Sequence, residues 1–101
     1  DISEIKNGVQ IVALESDSDK WRNTKKMPRL LRFYRISGMI EEDNVRDLHE
    51  KMREIGASRA GIVTNTQFTR MSINFAETRP LDLFDKDKLQ TLLSKIDYPS
   101  P

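Results

Sequence analysis

The sequence predicts an α/β fold in which helices flank a mixed β-sheet, in the order β-β-α-β-α-β-α. Two observations lead to this class. The first half of the chain holds two apolar runs, at residues 9–14 and 30–36, that are rich in the β-branched and aromatic residues typical of strands. Beyond residue 40, apolar residues at helical spacing alternate with short strand-like runs, a pattern typical of strands joined by helices.

The two apolar runs of the first half are expected to pair as a hairpin. The connection between them is about fifteen residues long, and loops of that length are uncommon inside compact domains and often functional. Alternation along the second run places four side chains on one face: Leu30, Arg32, Tyr34 and Ile36. The opposite face then carries Leu31, Phe33 and Arg35.

A helix over about residues 41–55 is predicted next. Its apolar residues recur at intervals of three and four positions: Val45, Leu48, Met52 and Ile55. Acidic residues occupy the first turn, where they suit the helix dipole, and Gly56 is well placed to end the helix. A short strand at residues 61–64 follows.

The last third of the chain predicts two more helices around a strand. Thr69 can cap a helix that runs to about residue 78, and residues 81–84 (LDLF) are typical of a strand. Asp85 can cap a final helix whose inward residues are Leu89, Leu92, Leu93 and Ile96. Helical connections of this length indicate that the strands they join are parallel.

Composition excludes several classes of protein. The 101 residues suffice for one domain, expected over residues 1–97 with a tail at 98–101, and the first residue, Asp1, indicates a piece of a longer protein. The absence of cysteine excludes disulfides and Cys-ligated zinc, and the single histidine excludes a His-pair metal site. No apolar run approaches the roughly 20 residues that span a membrane, so we expect no membrane insertion and a cytoplasmic location.

Positive charge is concentrated in one segment, although the net charge is only +1. Between residues 20 and 40 there are seven basic residues and no acidic one: Lys20, Arg22, Lys25, Lys26, Arg29, Arg32 and Arg35. Spaced Lys and Arg side chains of this kind can contact the phosphates of nucleic acid. The first five are therefore candidates for contacts to DNA, while a solvated loop or an interface with an acidic partner explains the same pattern.

Two other features have mainly a structural interpretation. His49 lies beside the apolar stripe of the first helix, a position typical of a half-buried side chain and not of a catalytic one. Residues 64–67 (TNTQ) follow a strand, where open α/β sheets bind ligands. They lack the glycines of a phosphate-binding loop, so we expect no nucleotide site there.

Three stretches of the sequence resemble the Mrr-type restriction endonucleases of the PD-(D/E)xK nuclease superfamily. They are GVQIVA (8–13), RISG with VRDL (35–48), and a third that runs from AGIVT (60–64) to PLDLFD (80–85). The family reads GVDLVA, KRYSG with VRDL, and a small-residue strand ending in Thr that leads through an FA helix to a strand like IELIDG. The resemblance implies a restriction endonuclease-like fold and, for intact members, Mg²⁺-dependent cleavage of DNA.

The resemblance also implies where an active site would lie. In the family, the Asp of GVDLVA and the polar residues of the motif (E/Q)xK hold Mg²⁺ and activate water; these positions are Gln10, Arg32 and Tyr34 here. Mg²⁺ prefers anionic oxygen ligands, which an amide, a guanidinium and a phenol do not supply. We therefore expect a degenerate site without catalytic residues, metal or other cofactor. Its three positions are expected on one face of a cleft, outside the packed core.

The favoured hypothesis is a catalytically inactive Mrr-type domain that serves as a DNA-binding or assembly module, with weak and non-specific affinity for DNA. One alternative is a structural protein-interaction domain that does not bind DNA. Another is an active Mg²⁺-dependent endonuclease with relocated groups, namely Glu15, Asp17 and Asp19 as ligands and Lys51 as the lysine. The sequence leaves open whether the chain forms a homo-oligomer.

Overall fold

The computed structural model describes residues 1–14 and 28–95. Within these ranges, five strands form one sheet in the order of the sequence. The strands are β1 (Ile2–Ile5), β2 (Gly8–Leu14), β3 (Pro28–Tyr34), β4 (Arg59–Thr64) and β5 (Leu81–Phe84). The pairs β1–β2 and β2–β3 are antiparallel, whereas β4 is parallel to both β3 and β5. The predicted mixed sheet is therefore confirmed.

Three helices in the described ranges connect and cover the strands: α1 (Glu42–Ile55), α2 (Arg70–Glu77) and α3 (Lys86–Lys95). Their ends follow the sequence signals. Gly56 adopts a left-handed conformation with φ of 74° after α1, a conformation that suits glycine. The side chains of Thr69 and Asp85 accept hydrogen bonds from the backbone N–H groups of Ser72 and Lys88, and so cap α2 and α3.

The structure contains one strand more than the sequence pattern indicated. Residues 2–5 form β1, which pairs with β2 through a tight turn at Lys6 and Asn7. Asn7 has a φ of 64°, a left-handed conformation that asparagine tolerates in tight turns, and Gly8 follows it at the start of β2. The order is thus β-β-β-α-β-α-β-α. A strand of four mostly exposed residues shows no alternation of apolar and polar side chains by which the sequence could predict it. The Asn-Gly pair that follows it is nevertheless a strong hairpin signal.

The core lies between one face of the sheet and helices α1 and α2. Its fully buried side chains include Leu30, Ile40, Val45, Leu48 and Ile62. Leu30 and Ile62 lie on that face of the sheet, while Val45 and Leu48 belong to the predicted stripe of α1. This arrangement places α1 over strands β3 and β4.

The opposite face of the sheet is covered less completely. Leu89 of α3 lies beside Gly61, Val63 and Phe84 on this face. Towards the other edge, Phe33 is 39% exposed and Ile2 is 70% exposed. The predicted alternation along β3 is therefore confirmed, because Leu30 and Tyr34 are buried and Phe33 is not. None of the helices in residues 1–14 and 28–95 is long and apolar enough to span a membrane.

Candidate functional site

Gln10, Arg32 and Tyr34 converge on the face of the sheet that lies under α1. Gln10 of β2 stands directly opposite Arg32 of β3 in the strand register, and Tyr34 follows two residues later on the same face. Only 8%, 6% and 8% of the three residues is exposed. The expected convergence is thus observed. The expectation that they lie outside the packed core is wrong, because α1 closes over them.

Arg32 is the centre of a hydrogen-bond network that joins three elements. Its Nε donates to Gln10 Oε1 at 2.8 Å, and its Nη1 donates to Asp47 Oδ2 at 2.7 Å and to the Tyr34 hydroxyl at 3.3 Å. Asp47 lies on α1, so the network links β2, β3 and α1. A buried guanidinium is tolerated only when it is paired in this way.

Asp47 supplies the negative charge that balances Arg32. The side chain of Asp47 is 68% exposed, whereas that of Arg32 is 7% exposed. The carboxylate therefore lies at the mouth of the site and reaches inward to the guanidinium. Sequence reasoning gave no role to Asp47, since fifteen residues separate it from Arg32 and only the packing of α1 on β3 brings the two together.

A cleft of about 320 Å³ opens beside this network. The side chains that line it are Ile5, Lys6, Asn7, Arg32, Tyr34, Ile36, Asn44 and Asp47. They come from the turn between β1 and β2, from β3 with the residues that follow it, and from the first half of α1.

The turn between β1 and β2 forms one wall of the cleft because it is fixed against the end of β3. The carbonyl of Asn7 accepts a hydrogen bond of 2.9 Å from the N–H of Arg35. At Gly8, a Cβ atom would lie only 1.9 Å from the backbone oxygen of Phe33, so a side chain there would push the two strands apart. Glycine at this position thus allows the close approach that brings Lys6 and Asn7 to the cleft.

Comparison with known families identifies the fold. A family model described as restriction endonuclease, of the Mrr catalytic type (Mrr_cat), matches residues 6–93. The chain belongs to this restriction endonuclease family. The match spans β2 to β5 and the network around Arg32, so the resemblance that the sequence motifs indicated is confirmed. No curated protein and no solved structure gives a significant match to the chain.

The residues around Arg32 in this restriction endonuclease-like domain offer few ligands to a metal ion. No group of three or more acidic, histidine or cysteine residues lies close enough together in residues 1–14 and 28–95. Asp47 is the single acid among the residues that line the cleft, and its carboxylate binds Arg32. The amide oxygen of Gln10 accepts from the same guanidinium. The guanidinium of Arg32 therefore engages a side-chain oxygen of both Gln10 and Asp47.

The other proposed site residues lie elsewhere or beyond the described part of the domain. Glu15, Asp17, Asp19, Lys20, Arg22, Lys25 and Lys26 are outside the described residues. Arg29 is exposed on the opposite face of β3 from Arg32, so it does not line the cleft. Lys51 of α1 forms an ion pair with Glu54 and is absent from the cleft lining.

His49 packs at the edge of α1, as its position predicted. Its ring meets Phe75 edge-on at 5.8 Å, and the guanidinium of Arg79 stacks on the same phenyl ring at 3.8 Å. Burial lowers the pKa of His49 below its ordinary value of 6.5, and the nearby charges of Arg79 and Arg53 lower this pKa further. These surroundings thus favour the neutral form of the imidazole.

The segment after β4 also makes structural contacts. Asn65 exchanges two hydrogen bonds with the backbone of Ile36, accepting from its N–H at 3.0 Å and donating to its carbonyl at 3.2 Å. The Thr64 side chain is buried and bonds to Thr66. These polar residues therefore join two loops at the carboxyl ends of β3 and β4.

Proposed function

We propose that this restriction endonuclease-like domain does not cleave DNA and that it acts as a DNA-binding module with weak, non-specific affinity. The observation that carries the first part is the network of Arg32. Its guanidinium bonds to Gln10, Tyr34 and Asp47 in the place where the family resemblance puts the metal-binding residues. These bonds fix the positive charge and use the oxygen atoms that a metal ion would need.

The chemistry of cleavage argues in the same direction. Hydrolysis of a phosphodiester by a nuclease of this type needs a divalent cation to polarise the phosphate and lower the pKa of water. A guanidinium in the site repels a divalent cation by several kcal/mol at an effective dielectric constant of about 20. It also cannot accept a proton from water, because arginine stays protonated in proteins.

The DNA-binding part of the proposal rests on charge. Seven basic residues between positions 20 and 40 give the domain a strongly cationic segment within an otherwise balanced chain. Contacts of Lys and Arg with phosphates supply most of the affinity of non-specific DNA binding. Membership of the restriction endonuclease family supports a fold that can hold DNA. A cytoplasmic location is part of the same proposal.

An assembly function is the second candidate, and one observation favours it. The face of the sheet away from α1 exposes apolar side chains at Ile2 and Phe33. Exposed apolar patches of a sheet are often contact surfaces between proteins. A domain that keeps the fold and loses DNA affinity would use this face to pack against another protein.

Two measurements separate these functions. We expect the purified chain to leave supercoiled plasmid uncut with Mg²⁺ or Mn²⁺, and to shift a DNA duplex in a gel at low salt. Binding without cleavage supports the proposal. Cleavage that depends on Mn²⁺ and is lost on Glu15→Ala or Asp17→Ala, but not on Lys86→Ala, would establish the alternative of relocated ligands. Absence of any DNA complex at low salt would favour the assembly function.

A further inference from the structure

We infer that the cleft beside Arg32 binds a phosphate group without a metal ion. The inference deepens the proposed function, since it rests on a site that holds a fixed guanidinium in place of a cation. It goes beyond that function because it assigns the ligand to Arg32 and Lys6 and not to the basic segment around Lys25 and Lys26.

The first argument is the unused half of the Arg32 guanidinium. The network uses Nε and Nη1, and Nη2 forms no hydrogen bond with any side chain or backbone group in the described ranges. Among those same residues, no buried side-chain nitrogen or oxygen lacks a partner, so Nη2 must reach solvent. Arg32 is one of the residues that line the cleft, so Nη2 is the N–H donor of this side chain that remains available to a ligand there.

The second argument is the set of donors around the same cleft. Lys6 also lines the cleft, and it has no ion-pair partner among the described residues. The Tyr34 hydroxyl accepts from Arg32, which leaves its own O–H to donate. Asn44 accepts the N–H of Glu41 through Oδ1 at 3.4 Å, so its NH₂ group is free to donate. Four donors from three elements thus surround one space.

The charge and size of the cleft suit a phosphate. Two cations, Lys6 and Arg32, face one carboxylate, Asp47, which leaves an excess of one positive charge in the lining. A volume of about 320 Å³ corresponds to about ten water molecules, enough for a phosphate and part of an attached sugar. Arginine binds phosphate well because its planar N–H groups match the spacing of phosphate oxygens.

Asp47 makes the inference sharply testable. Its carboxylate holds Arg32 but also repels an anion that enters the cleft. The substitution Asp47→Asn keeps the shape of the side chain and removes its charge. If a phosphate binds at Arg32, this variant binds it more tightly than the wild type, whereas a variant that merely disturbs the fold would bind it less tightly.

The experiment is a titration of the ¹⁵N-labelled chain, followed by NMR in buffer with EDTA. Three probes are used in separate titrations: inorganic phosphate, a 5′-mononucleotide and a short single-stranded oligonucleotide. We expect shifts of the Arg32 Nε–H signal and of the Asn7 and Asn44 amides. Saturation by inorganic phosphate indicates a free anion, tighter binding of the mononucleotide indicates a nucleotide, and a response to the oligonucleotide alone indicates a backbone phosphate.

Variants give the decisive comparison. Lys6→Ala should weaken binding about fivefold, the upper range for one exposed charge pair, and Asp47→Asn should strengthen it about threefold. Lys86→Ala, which removes an exposed lysine of α3, is the matched control and should leave affinity unchanged. The inference would be overturned if no probe shifted the Arg32 signal. It would also be overturned if Lys6→Ala and Lys86→Ala weakened binding equally, or if Asp47→Asn bound phosphate less tightly than the wild type. Metal-dependent cleavage would contradict the proposed function alone, because this titration contains no metal.

Discussion

Arg32 and Asp47 form an ion pair of 2.7 Å between two very different environments, with one side chain 7% exposed and the other 68% exposed. The pair connects the middle of the sheet to the surface of α1. Since the guanidinium cannot lose its charge, its burial requires this carboxylate together with the neutral acceptors Gln10 and Tyr34. The pair thus joins α1 to the sheet and holds the Asp47 carboxylate against the guanidinium.

The substitution Asp47→Ala should destabilise the domain. It leaves a buried guanidinium without its counter-charge, which we expect to lower the free energy of unfolding by about 1–2 kcal/mol. The exposed position of Asp47 keeps the loss below that of a fully buried pair. Urea unfolding measures it, with Glu50→Ala on the exposed part of α1 as the control, expected to change stability by less than about 0.5 kcal/mol. Equal effects of both changes would show that the ion pair contributes nothing.

Restoring the family motif should damage the fold. The triple change Gln10→Asp, Arg32→Glu and Tyr34→Lys places three ionisable groups in a layer that is more than nine-tenths buried and removes a core tyrosine. We expect a loss of at least about 3 kcal/mol, as for truncation of a large core side chain. Thermal unfolding beside Leu48→Ala, which truncates a fully buried core side chain, checks this. A triple variant that melts at the wild-type temperature would show that these buried positions tolerate the new charged side chains.

DNA binding should depend steeply on salt. Each phosphate contact on duplex DNA steepens the fall of log K with log salt by about 0.9, so the double change Lys25→Ala and Lys26→Ala should reduce the slope by about 2 if both residues touch phosphates. Fluorescence anisotropy at several salt concentrations gives the slope, and Lys86→Ala is the control for a general loss of charge. A slope that stays unchanged in the double variant would place the DNA contacts elsewhere.

Acid should weaken the domain through His49. Its folded-state pKa lies below the ordinary 6.5, so the unfolded chain binds the proton more tightly. The contribution of His49 to stability is therefore complete above about pH 6.5 and falls as pH drops through the folded pKa. Urea unfolding at pH 5 and at pH 7.5 gives the free energy of unfolding that is lost on acidification. This loss should be smaller in His49→Gln than in the wild type, because both proteins have the same carboxylates and differ only in the histidine. Parallel curves would exclude a role for this histidine.

The sequence was most informative where local signals and periodicity agree. The stripe from Val45 to Met52 and the cap at Thr69 gave α1 and the start of α2, and alternation from Leu30 to Tyr34 gave the faces of β3. Strand β1 was missed because its residues are mostly exposed and carry no apolar pattern, although the Asn-Gly pair at positions 7 and 8 indicated a hairpin.

The candidate site was predictable only in part. Spacing placed Gln10, Arg32 and Tyr34 on one face, since strand geometry alone decides this. Their burial depends on how α1 crosses the sheet, and so does the contact of Arg32 with Asp47, which no local pattern records. The sequence therefore located the three substituted positions but not the carboxylate that makes the arginine acceptable there.

We propose that the fixed guanidinium of Arg32 leaves this restriction endonuclease-like domain without cleavage chemistry. The most direct test of this proposal is a plasmid-nicking assay of the purified wild-type chain with Mg²⁺ and with Mn²⁺, at low salt and at protein in excess over DNA. We predict that the supercoiled plasmid stays intact with both metals and that the variants Glu15→Ala and Asp17→Ala behave identically to the wild type. Metal-dependent nicking that follows the wild-type protein through purification and disappears in either variant would contradict the account.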